Sequence, residues 1–160
     1  MYMKEALSFL QQNNTAAITT VYRNIPFLST IYYVVDEDFN FYFLTKRGTD
    51  KYLNLTLNSN VAVVVGTGPK QISVQARGNA EILDGKEKGL VIKKIIEMVE
   101  KKEIKKIPIK EMNRFSPNGN ILNTEVVVKV VPQQLIFMNL DDKSYPESIS
   151  KEYHTILPKQ

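Results

Sequence analysis

TAAITTVYRNIPFLSTIYYVVDEDFNFYFLT, residues 15–45, holds three apolar stretches broken by two turn signals, and its reading decides the fold. Residues 15–22 (TAAITTVY) are rich in Thr and β-branched side chains, the composition of a strand. Arg23, Asn24, Ile25 and Pro26 read as a turn, because proline cannot donate to a ladder and asparagine tolerates a left-handed backbone. Residues 27–35 (FLSTIYYVV) make a second strand, closed by the acidic turn Asp36, Glu37 and Asp38. A third strand follows at 39–45, with Phe39, Phe41 and Phe43 alternating against Asn40 and Tyr42. Strands joined by short turns pair antiparallel, so the segment is a meander of hairpins.

On the N-terminal side, Ala6, Leu7, Phe9 and Leu10 lie at helical spacing before Gln11, Gln12, Asn13 and Asn14, which predicts a short amphipathic helix. On the C-terminal side comes a polar loop at 46–51, then residues 52–57 (YLNLTL), whose apolar positions satisfy both strand alternation and helical spacing. Asn58, Ser59 and Asn60 stop that piece before a strand at 61–67, and Gly68-Pro69 turns the chain into a long strand at 71–83. Gly78 inside that strand suggests a bulge or a barrel corner. After Asp84-Gly85, residues 86–106 carry Leu90, Val91, Ile95, Met98 and Val99 on one helical face. Residues 107–115 are irregular, 116–120 (SPNGN) form a turn, and two last strands at 121–131 and 133–139 are separated at Pro132. From Asp141 onward the chain is polar with two prolines, a tail or arm at 141–160 beyond one domain at 1–140. Seven strand candidates in meander order, without βαβ alternation, predict a mainly β fold: a small antiparallel barrel with peripheral helices.

Composition narrows the chemistry. With 160 residues, 43% apolar and 24% charged, the chain is one globular domain in size. The absence of cysteine excludes a disulfide framework, a zinc finger, an iron–sulfur site and thiol catalysis, and a single histidine leaves little for a metal centre or a Ser–His triad. Chemistry is therefore expected to come from something the protein binds. The 21 Lys and Arg against 17 Asp and Glu leave a net charge of +4. Basic residues are scattered except around 86–106, where Glu87, Glu97, Glu100 and Glu103 interleave with them, so nucleic-acid binding is not expected. No apolar run approaches the roughly 20 residues of a membrane span. The opening MYMKEALSFLQQNN does not read as a signal peptide, and a cytoplasmic location is the expectation.

The densest polar cluster is Thr45, Lys46, Arg47, Gly48, Thr49, Asp50 and Lys51, three cations, two hydroxyls and a glycine between a strand and a possible helix start. A phosphate needs this supply: cations neutralise it, hydroxyls and backbone N–H groups donate, and glycine permits close approach. A solvated turn accounts for the same composition. There is no Walker pattern or GxGxxG; Gly66-Thr67-Gly68 lacks the third glycine. Tyr32, Tyr33 and Tyr42 could stack on a ring system, although strand aromatics are more often core or interface.

The order of parts resembles the pyridoxamine 5'-phosphate oxidase-like, FMN-binding split barrels. The matching pieces are residues 41–45 (FYFLT), then Thr49 and Lys51, a short helix, and 58–63 (NSNVAV), with 77–82 (RGNAEI) similar to the family's G-x-A-E segment. The match is good over about residues 5–83 and looser beyond. The resemblance implies that Lys51 and Thr49 hold the FMN phosphate with Thr45 and Lys46 at the same end of the cofactor. It further implies that Ser29, Thr30 and Ile31 lie along the isoalloxazine ring and offer it backbone hydrogen bonds. A homodimer with the flavin in the subunit interface, and a helical 52–57, follow from the same likeness. The implied function is an FMN-binding oxidoreductase of unknown substrate, with no catalytic acid, base or nucleophile to name and no metal. A non-enzymatic flavin- or haem-binding or sensing module is the alternative, motivated by Asp50, an acid beside the phosphate lysine. For haem, His154 would be the ligand to hand, although a lone exposed histidine in a tail explains it as well. The family's C-terminal Arg- and Trp-containing substrate motif is missing, so a pyridoxal phosphate-forming oxidase is not expected.

Overall fold

The computed structural model describes residues 2–66, 72–100, 125–139 and 153–157. Helix α1 (Tyr2–Gln12) buries Ala6 and Leu10, one turn apart, and the Asn13 side chain closes its end by donating to the Phe9 carbonyl at 2.7 Å. Strands β1 (Thr15–Tyr22) and β2 (Ile25–Tyr32) pair antiparallel with Tyr22 opposite Ile25. The turn between them is only Arg23 and Asn24, at φ 47° and 64°, the tight left-handed turn whose twist suits a hairpin. Ile25 and Pro26, expected in the turn, therefore start β2. Proline is tolerated there because β2 ends the sheet order, and an edge strand leaves one row of N–H groups unused.

The expected second strand breaks at Tyr33, whose N–H donates to the Asn14 carbonyl at 3.0 Å, and resumes as the short β3 (Val34–Val35). The third starts later than alternation suggested. Phe39 has φ 64° and belongs to a turn built by the buried Asp36 carboxylate. That carboxylate accepts from the N–H groups of Asp38 (3.0 Å) and Asn40 (2.9 Å) and from the Tyr42 hydroxyl (2.9 Å). Strand β4 (Phe41–Lys46) is buried on both faces from Phe41 to Thr45, so Tyr42 does not face solvent as the pattern implied.

Helix α2 (Asp50–Leu57) resolves the ambiguous segment in favour of the helix. Strands β5 (Asn60–Val65), β6 (Ile72–Leu83) and β7 (Glu125–Asn139) follow, with helix α3 (Gly85–Glu100) between the last two. The strand order is β2-β1-β5-β6-β7-β4-β3, antiparallel throughout. Pro132 does not split two strands: β7 runs through it. The ladder between β6 and β7 shifts register between Arg77 and Gly78, and Pro132 takes its place opposite Gly78. Strand β8 (Tyr153–Leu157), within the stretch expected to be a tail or arm, pairs antiparallel with β7.

The sheet curls until β2 and β4 touch without backbone pairing, which leaves an open seam. The fold is mainly β, an antiparallel split barrel with three helices among the described residues. Its core joins Ile18, Tyr33, Phe41, Phe43, Val128 and Phe137 with α1 residues Ala6 and Leu10. On the other face Leu44, Val127 and Leu83 lie side by side in register, and α3 is tied to β7 by Lys88 Nζ, which donates to the Glu125 carbonyl at 2.8 Å. Among the described side chains of α3 Ile92 is buried, whereas Leu90, expected on the helix's apolar face, is 69% exposed. The side chains of Ile95, Met98 and Val99, the helix beyond 100, the Gly68-Pro69 turn, residues 107–124 and 141–152 lie outside the described residues. No helix among the described residues is long and apolar enough to cross a membrane.

Tyr33 makes stability sensitive to alkali. Its hydroxyl donates to the Leu10 carbonyl at 2.8 Å, and burial pushes its pKa far above the usual phenol value. Burial, then the hydrogen bond to Asp36, raises Tyr42 in the same direction. A raised folded-state pKa means full stabilisation below the unfolded value near 10 and progressive loss as pH rises above it. Melting temperature is expected to fall between pH 9.5 and pH 11.5, at up to about 1.4 kcal/mol per pH unit for Tyr33 alone. Tyr33→Phe should cost about 1 kcal/mol at neutral pH yet flatten the alkaline slope, as thermal melts across that range would reveal.

Candidate functional site

The loop between β4 and α2 is shaped by its own hydroxyls. Thr49 is the N-cap of α2, in extended conformation at φ −75° and ψ 152°, and its Oγ1 accepts from the Tyr52 N–H at 3.3 Å. The same hydroxyl donates to the Lys46 carbonyl at 2.9 Å and lies 3.1 Å from Thr45 Oγ1. Thr49 has one proton to give, so Thr45, buried at the end of β4, is the donor in that last pair. Gly48, at φ 85°, allows the tight reversal, and a Cβ placed there would meet nothing within 4 Å.

Three cations surround this frame in different ways. Lys46 ends β4 and is exposed. Lys51 Nζ lies 5.6 Å from the centre of the Phe43 ring, beneath which the core begins. Arg47 Nη2 pairs with Asp84 at 2.8 Å, Nη1 donates to the Tyr52 hydroxyl at 3.0 Å, and the guanidinium rests 5.7 Å from the Tyr52 ring centre. The Asp84 hydrogen bond, then that to Tyr52, holds Arg47 more firmly protonated, and Arg47 in turn holds Asp84 below the usual carboxylate range. The N-terminus of α2 adds its partial positive charge.

Asp50 turns elsewhere. Consecutive helix residues point about 100° apart, and Asp50 lines a cleft of about 510 Å³ with Leu53, Asn54, Leu57, Tyr22 and Phe27. Asp50 thus borders the β1–β2 hairpin end, whereas Lys51 Nζ lies over the Phe43 ring of β4. The buried Asn54 anchors the helix by donating to Thr20 Oγ1 at 3.0 Å.

Ser29, Thr30 and Ile31 lie on β2, the strand that meets β4 across the open seam. Strand alternation separates them: Ile31 is buried, Ser29 half-buried on the same side, and Thr30 exposed on the other. Ser29, Thr30 and Ile31 thus lie on the edge strand and Thr45, Lys46, Thr49 and Lys51 on the β4–α2 connection, with Thr30's side chain directed outward. His154 pairs through its backbone with Phe137, and its side chain is outside the described residues. Sequence reasoning missed the partnership of Arg47 with Asp84, 37 positions apart, and the role of Phe43 under Lys51. Only the acidic end of β6, Asp84-Gly85, hinted at the former.

The family model described as pyridoxamine 5'-phosphate oxidase matches residues 2–139. No curated protein matches the sequence. Among solved structures, general stress protein 26 from Bacillus anthracis is similar at 17% identity and TM-score 0.65, over 85% of this chain and 92% of that one. A protein related to general stress protein 26, from Clostridium acetobutylicum, matches at 11% identity and TM-score 0.67, over 98% and 94%. A FAD-binding protein from Mesorhizobium loti matches at 18% identity and TM-score 0.57, over 82% and 90%. These likenesses share the split-barrel fold, and the family match spans the helix, the meander and the whole of β7. The chain belongs to the pyridoxamine 5'-phosphate oxidase family.

Proposed function

We propose that the protein is an FMN-binding flavoprotein and an oxidoreductase acting on a small-molecule substrate as a homodimer. The observation that carries this reading is the β4–α2 loop: a positive, hydroxyl-braced turn with an open glycine, at the end of β4 and the start of α2. The residues fit a phosphate monoester. Lys46 and Lys51 would neutralise it, the first-turn N–H groups of α2 would donate to it, and Gly48 leaves room for close approach. Thr45 and Thr49 act mainly by fixing the loop, since their protons are committed within it. Ser29, Thr30 and Ile31 would offer the ring system the free backbone edge of β2. When bound, FMN would supply the electron-transfer chemistry, and the protein the binding and orientation.

The dimer is supported by the outward face of β2, β1 and β5. Leu28 is 73% exposed and Tyr32 38% exposed there, beside the small side chains of Ala17 and Ala62. An apolar face of this kind favours a partner surface. Asp50's turn toward the hairpin cleft weighs against the reading in which that acid has cost the chain its flavin.

Titration of the purified protein with FMN tests the assignment. Saturable quenching of flavin fluorescence, one FMN per chain, is expected, with riboflavin at least about tenfold weaker because it lacks the phosphate. Absence of both quenching and a yellow bound chromophore would sink it.

A further inference from the structure

Arg47 is held from outside the loop by Asp84, the residue that joins β6 to α3. Both groups reach solvent, with side-chain exposures of 39% and 66%, and ion pairs of this kind are weak and exchangeable. A phosphate monoester carries more charge than a carboxylate and matches the guanidinium fork equally well. Asp84 is not left alone when Arg47 departs: it keeps the hydrogen bond from the Gly85 N–H and the favourable charge of Lys88, whose ammonium donates to the Glu125 carbonyl. Tyr52, beneath the guanidinium, gives Arg47 a fixed platform from which to swing. Gly48, next in sequence, has open space where a side chain would stand.

From this geometry we infer that Asp84 is a specificity-determining counter-ion. It holds Arg47 beside the loop, and Arg47 passes from Asp84 to the phosphate when a phosphorylated ligand binds. Asp84 thereby sets how strongly the chain prefers a phosphorylated ligand to its unphosphorylated counterpart. The inference rests on the loop being the phosphate site, and it goes beyond that reading by naming a residue that touches no ligand. Asp84 is a positioning residue, acting through Arg47.

The test is the dissociation constants of FMN and riboflavin for wild type, Asp84→Asn, Arg47→Met and the double variant. Asp84→Asn should bind FMN about fivefold tighter and riboflavin within about twofold of wild type. In the Arg47→Met background the same change should do nothing. An unchanged ratio of FMN to riboflavin affinity in Asp84→Asn, or a gain that survives without Arg47, would overturn the inference while leaving the phosphate site standing. Wild type that binds neither flavin would instead overturn the flavin reading. In that case inorganic phosphate serves as the probe, and a thermal shift no larger in Asp84→Asn than in wild type overturns the counter-ion as well.

Discussion

Gly78→Val is expected to abolish the folded state. A Cβ at position 78 would lie 2.0 Å from the Val131 carbonyl oxygen and 2.9 Å from Pro132 Cα, both backbone atoms of the neighbouring strand. Neither can move alone, because β6 and β7 are paired along the whole of β6 and the register shift at Arg77–Gly78 already uses the local freedom. Relief would require parting the two central strands. The penalty exceeds the roughly 1–3 kcal/mol of ordinary overpacking and approaches the whole stability of a small domain, about 5–15 kcal/mol. The control is Gly89→Ala in α3, where a Cβ meets nothing within 4 Å and helix propensity improves by up to about 1 kcal/mol. Denaturant unfolding of the two variants separates them: Gly89→Ala should keep or raise the midpoint, and Gly78→Val should give no cooperative transition. A wild-type midpoint for Gly78→Val would refute the packing account.

That glycine illustrates which parts of the fold could be seen in the sequence. A glycine inside a strand signals a bulge, and the bulge is there. The proline opposite it misleads, because Pro132 reads as a break until its partner strand is known to be displaced at that point. Pro26 misleads for a related reason: whether proline ends a strand depends on whether the strand is an edge, which is a property of the sheet order and not of local sequence. Phe39 fitted a period of two, yet Asp36 captures the backbone N–H groups that follow it and turns the chain first. In α3 a helical face was visible but its orientation was off by Leu90, since neighbouring apolar positions leave the buried direction to tertiary packing. The loop at 45–51 was legible as a phosphate-like supply because its residues are contiguous. What its cations pair with was not, because Asp84 reaches it through the β6–β7–β4 register and Lys51 reaches Phe43 only once the chain reverses at Gly48.

Lys51 is where the proposed assignment has its largest binding consequence. Lys51→Ala should weaken FMN by roughly 10- to 150-fold, the worth of about 1.5–3 kcal/mol for a hydrogen bond to a charged group. Riboflavin affinity should barely change. The size follows from the site's layout. The Thr45 and Thr49 protons are committed within the loop, and Arg47 reaches a phosphate only by leaving Asp84, so the field at the loop comes first from its two lysines. Of these, Lys46 sits at the exposed strand end, where water screens it, while Lys51 lies over Phe43 against the core, where its field is screened less. Lys51→Arg should recover part of the loss, because charge is kept although the compact ammonium is replaced by a fork. Asp50→Asn should gain no more than about threefold, since Asp50 is exposed and borders the cleft on the hairpin side. Fluorescence titrations of both flavins decide the matter. If Lys51→Ala weakens FMN and riboflavin equally, the lysine supports the fold of the loop and does not hold a phosphate. If Asp50→Asn tightens FMN tenfold or more, the two residues share one face of the site after all.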